Sequence, residues 1–63
     1  MREFVATIKE KGGSVVSPTY MADADFWKWN EPKTYLTKFW GLDNDDVESY
    51  ELYEIVNGKK VKL

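Results

Sequence analysis

The chain has 63 residues and a mass of 7.4 kDa, with nine Lys and Arg against eleven Asp and Glu, and neither His nor Cys. A chain of this length is a single domain, and area scaling has it burying about 60% of the surface its unfolded form exposes, enough for a small core. Without imidazole or thiol there is no His-based triad, no thiolate nucleophile, no Zn site with N or S ligands and no disulfide, and a net charge of −2 sets up no global field for nucleic acid or anionic lipid.

Charged residues make up 32% and hydrophobic residues 43%, a globular balance rather than a disordered one. Met1 to Lys11 lacks the apolar run that a secretory leader needs, and the apolar stretches elsewhere are far too short to span a bilayer, so a cytoplasmic protein is expected. Aromatic residues reach 16%, and in a small core they offset the scarcity of positions because each buries so much area.

Arg2 to Glu10 alternates. Phe4, Ala6 and Ile8 fall on one face, and Glu3, Val5, Thr7 and Lys9 on the other, the period of a half-buried strand. Lys11-Gly12-Gly13-Ser14 supplies a hairpin turn, and Val15, Val16, Thr19 and Tyr20 suit a second strand. Pro18 lacks an N–H, which places that strand at an edge or ends it in a bulge. Ala22-Asp23-Ala24-Asp25 either caps a short helical turn at Phe26-Trp27-Lys28-Trp29 or leads into a strand there.

Asn30-Glu31-Pro32 is a helix start, with Asn30 as N-cap and Pro in the first turn. Tyr35, Leu36, Phe39 and Trp40 then form one apolar helix face, Lys38 suits the C-terminal dipole, and Gly41 is the natural residue just past the end. A hairpin turning at Pro32 is the rival, because Tyr, Thr, Phe and Trp also favour strands. Val47 to Val56, Asn57-Gly58 and Lys59 to Leu63 read as a second hairpin, although an Asp45/Glu48 capping pair would also allow a helix. The predicted fold class is α+β: a small antiparallel sheet in the order β-β-α-β-β, with one helix packed on a face.

Asp43, Asp45, Asp46, Glu48, Glu51 and Glu54 are six carboxylates in twelve residues, with no base among them. The stretch lacks the Gly and the closing Glu of an EF-hand loop, and so small a chain hardly encloses a cleft for paired-carboxylate catalysis. No metal or cofactor is therefore expected. Contact with a basic partner is the functional reading; the plain one is a solvated face balanced by Lys59, Lys60 and Lys62. Four consecutive positions at Phe26 to Trp29 cannot all enter one small core. Trp27 or Trp29 is therefore an interface anchor, a base-stacking platform beside Lys28 and Lys33, or a seal at the core's edge. The Ser and Tyr hydroxyls have no partner base, and Gly12-Gly13 is no phosphate loop.

Phe4-Val5-Ala6-Thr7-Ile8, then Val16-Ser17-Pro18-Thr19-Tyr20-Met21-Ala22, then a helix and a closing strand, resembles the layout of short phage-encoded inhibitors of host RNA polymerase. The resemblance covers about residues 4–22 and the order of elements. In that family a basic last strand contributes to docking, whereas the corresponding stretch here reads as acidic, so no functional residue carries over. What the resemblance implies is a small phage accessory protein that acts by binding.

The resulting expectation is a non-enzymatic module of phage or mobile-element type that binds and inhibits a host protein with a basic surface. Its contact residues would be Asp43, Asp45, Asp46, Glu48, Glu51 and Glu54, with Trp27, Trp29 or Tyr53 as anchor. The alternatives are a single-stranded nucleic-acid binder using Trp27, Lys28 and Trp29, and an assembly module that pairs strand edges into a homodimer.

Overall fold

The alternation in Arg2–Glu10 becomes a nine-residue strand, β1, in the computed structural model, which describes residues 1–23 and 31–63. β1 turns through residues 11–14, where the Glu10 N–H donates to the Ser14 carbonyl and Gly13 takes a φ of +94°. The returning chain forms β2 (Val15–Val16) and β3 (Thr19–Ala22), both antiparallel to β1.

These two pieces are one strand interrupted at Pro18. The register set by Ile8 opposite Val16 continues unchanged to Val5 opposite Thr19, so no bulge is inserted. Pro18 cannot donate, but its carbonyl still accepts the Ala6 N–H at 3.1 Å. Among the described residues β1 alone pairs with this strand, which agrees with the expected edge position.

Helix α1 (Pro32–Phe39) follows. Pro32 occupies the first turn, as the sequence predicts; the N-cap is Glu31, which makes no side-chain capping bond, and the predicted cap Asn30 lies outside the described residues. At the other end Gly41, with φ +63°, lets its N–H reach the Lys38 carbonyl and the Leu42 N–H reach the Thr37 carbonyl. That paired closure is a Schellman motif, and it drops Leu42 back into the core beside Leu36.

Val47–Val56 is a strand, β4, not the rival helix, and β5 (Lys59–Lys62) returns along it. Asn57 and Gly58 both take positive φ, 52° and 77°, the geometry of a two-residue type I′ turn. β4 lies against β1, so among the described residues the sheet has five strands, with β1 and β4 in its middle. β3 and β4 both oppose β1 and are parallel to each other, which obliges the chain to cross over β1 and carries α1 across one face.

On that face Phe4, Ala6, Ile8, Leu36, Leu42 and Leu52 form the buried core. Leu52 sits directly opposite Ala6, and Tyr20 opposite Phe4. The helix does not bury its whole predicted apolar face. Leu36 is fully buried, Tyr35 and Trp40 are half-buried, and Phe39 is 54% exposed. Two adjacent pairs four residues apart span too wide an arc for a helix that meets a flat sheet along one line.

Candidate functional site

The acidic run is taken apart by the fold. Side chains at 50, 52 and 54 of a strand share one face, and those at 49, 51, 53 and 55 share the other. Glu54 therefore lies on the core side with Leu52, directly opposite Phe4, and Arg2 on β1 reaches it. The Arg2 guanidinium donates through Nε to Oε2 and through Nη2 to Oε1, each at 2.8 Å, and it also lies over the Phe4 ring at 5.2 Å. Hydrogen bonding from Arg2 holds the Glu54 carboxyl below its usual range; partial desolvation opposes this and the guanidinium charge adds to it.

Glu48 is the extra residue where the register steps from Lys9 opposite Ser49 to Glu10 opposite Val47. It forms an ion pair with Lys9 at 3.0 Å, both side chains about half exposed. Glu51 lies on the face away from α1, where it accepts a hydrogen bond from the Tyr53 hydroxyl. That bond raises the Tyr53 pKa above its ordinary value. Lys60 Nζ stands 5.4 Å from the centre of the Tyr53 ring.

Two expectations change here. The lysines of β5 stand opposite Tyr53, Ile55 and Val56, so the neutralising partners of Glu54 and Glu48 come from β1 instead. The last strand itself is basic, with Lys59, Lys60 and Lys62; the acids belong to the strand before it and to the loop that precedes that strand.

Asp43, Asp45 and Asp46 remain together in that loop and are exposed. Successive turns hold it: the Asn44 N–H donates to the Gly41 carbonyl, the Val47 N–H to the Asn44 carbonyl, and the Lys11 N–H to the Asp46 carbonyl at 2.9 Å. None of these aspartates, nor Glu10 beside them, is ion-paired with a described cation. Among the described residues no group of three acids gathers closely enough to hold a metal ion, and no helix is long and apolar enough to cross a membrane.

An aromatic cluster leads from α1 to this loop through Trp40. Tyr20, Tyr35 and Phe39 form a cluster with ring centres 4.8 to 6.0 Å apart, Phe39 meets Trp40 at 6.3 Å, and the Tyr20 and Tyr35 hydroxyls are 3.3 Å apart. Trp40 in turn forms one wall of an open cleft of about 360 Å³, lined also by Ile8, Val16, Pro18 and Val47, with Glu10, Asn44 and Asp46 supplying its polar atoms.

Of the sequence-predicted contact residues, the fold groups Asp43, Asp45 and Asp46 and disperses Glu48, Glu51, Glu54 and Tyr53. The anchors Trp27 and Trp29 lie outside the described residues. The aromatic residue actually beside the acidic loop is Trp40, with Phe39 packed on it; the helical pattern assigns both to the core. Width was the available signal: residues 35, 36, 39 and 40 cover more arc than one sheet face receives. No protein-family model matches the chain, and no curated protein or solved structure matches it.

Proposed function

We propose that this protein is a non-enzymatic binding module that engages a basic protein surface through the acidic-aromatic end formed by Phe39, Trp40 and the Asp43–Asp46 loop. The observation that carries this reading is that Phe39, 54% exposed to solvent, packs on Trp40, and Trp40 shares a cleft with Asn44 and Asp46 of a turn-braced loop whose carboxylates have no described cationic partner. Aromatic residues are enriched among the anchors of protein interfaces, while the charges around them steer approach and set specificity. Inhibition of a host factor is the biological form that the resemblance to phage-encoded polymerase inhibitors suggests.

Affinity capture with three matched baits tests the reading. The D43K/D45K variant and the F39S variant should each lose the partner that the unmodified chain retains. An E51K variant, altered on the opposite face, should keep it. A D43K/D45K bait that captures as much as the unmodified chain, or an unmodified chain that captures nothing above a scrambled control, overturns the proposal.

A further inference from the structure

The cleft beside Trp40 has a composition that the acidic loop alone does not explain. Its lining mixes the apolar residues Ile8, Val16, Pro18 and Val47 and the aromatic Trp40 with the polar residues Glu10, Asn44 and Asp46. Three separate segments build it: the end of β1 brings Ile8 and Glu10, the Pro18-interrupted edge strand brings Val16 and Pro18, and the stretch after α1 brings Trp40 to Val47. The backbone around it is fixed by the Lys11–Asp46 and Glu10–Ser14 hydrogen bonds and by the Schellman closure at Gly41. Neither carboxylate has a described cation to answer it, although Lys9, one residue away, is taken by Glu48.

A cleft that combines Trp40 and aliphatic side chains with two carboxylates paired to no described cation is complementary to an amphipathic cation. A long basic side chain lays its methylene stem on apolar surface and keeps its charge at the polar rim. Of the two such side chains, Arg fits better. Its planar guanidinium stacks on an indole and donates in a fork to carboxylates, while the ammonium of Lys is compact and strongly hydrated. We infer that this cleft is a recognition site for an arginine side chain presented by the partner protein, with Trp40 as stacking wall and Glu10 and Asp46 as charge acceptors. The inference deepens the proposed function and rests on it: it names the residue type on the partner and the place where that residue seats.

Capped glycine pentapeptides with a central arginine, lysine or citrulline are suitable probes, because citrulline keeps the shape of arginine without its charge. Titrated into the ¹⁵N-labelled chain, the arginine peptide should shift the Trp40 indole N–H and the amides of Glu10, Asn44 and Asp46 saturably. The lysine peptide should bind more weakly, and the citrulline peptide about tenfold or more so. The E10Q/D46N variant, altered only in exposed or half-exposed carboxyl groups, should lose about fivefold or more in arginine-peptide affinity. Equal binding of the arginine and citrulline peptides, shifts centred on Glu51 or Glu54, or no saturable shift up to about 20 mM peptide would overturn the inference. The peptide comparison decides this on the unmodified chain even if the double variant misfolds. Capture that fails with D43K/D45K but survives E10Q/D46N leaves the binding surface standing and removes only the arginine cleft.

Discussion

Glu54 keeps its charge on the core side of a strand because a single side chain 52 positions away answers it. A carboxylate there without Arg2 would carry a desolvation cost that a core of six residues can ill offset. The folded state therefore prefers the ionised form, and the sign of its pH dependence follows. The contribution is fully present above the usual carboxylate range and is lost as pH falls through the lowered pKa of the folded state. The E54Q variant should be less stable than the parent by about 1 kcal/mol near neutral pH, as expected for a forked, partly exposed pair. The gap should close on acidification, as read from urea denaturation at a series of pH values. A gap that stays constant into the acid range would mean that the pair contributes through packing and not through charge.

At the scale of elements, α1 depends on how it ends more than on how it begins. It starts without a side-chain cap, and the Gly41 closure supplies the defined terminus that sets Leu42 in the core and Trp40 at the cleft. A Cβ at Gly41 meets nothing within 4 Å, so the cost of substitution comes from the φ of +63° alone. Gly41→Ala should then cost about 1–2 kcal/mol, a drop in Tm of the order of 4–8 °C per kcal/mol for a domain of this size, and Gly41→Asn clearly less, since Asn tolerates the left-handed region. Gly12→Ala, at a glycine with no such φ and equally open space, is the control and should be near neutral. The Pro32 start and the Gly41 end of this helix were legible in sequence, though not its cap, as were the alternation of β1 and the Asn57-Gly58 turn, because each is written in local geometry. The pairing of Glu54 with Arg2, the continuity of β2 with β3 across Pro18, and the cleft were not. Each depends on the register between strands distant in sequence, which no local pattern states. Parity along β4 does put Glu54 on the face of Leu52, so the need for a cation there was readable, but not its source.

For the molecule as a whole, the edges of the sheet decide whether it assembles with itself. Among the described residues one edge is the strand broken at Pro18, and the other is β5, with lysine at three of its four positions. A proline removes a ladder donor, and lysines oppose the approach of a second strand through repulsion and desolvation; both are common ways in which sheets resist edge pairing. The part of β4 that extends past β5 includes Val47, Glu48, Ser49, Tyr50 and Glu51, in which charged and polar side chains separate Val47 from Tyr50. Edge pairing into a homodimer is thus opposed along each described edge, while the uncompensated acids gather at a different place, the loop after α1. Sedimentation should find a monomer at millimolar concentration and moderate salt, whereas a K59T/K60T/K62T variant, its edge made neutral and β-favouring, should associate. If the unmodified chain were instead dimeric, and the dimer survived the E51K and D43K/D45K changes, the assembly reading would displace the binding module. A monomer that begins to associate only when the lysines are removed would show that β5 is charged to keep the edge free, which leaves the acidic-aromatic end as the surface available to a partner.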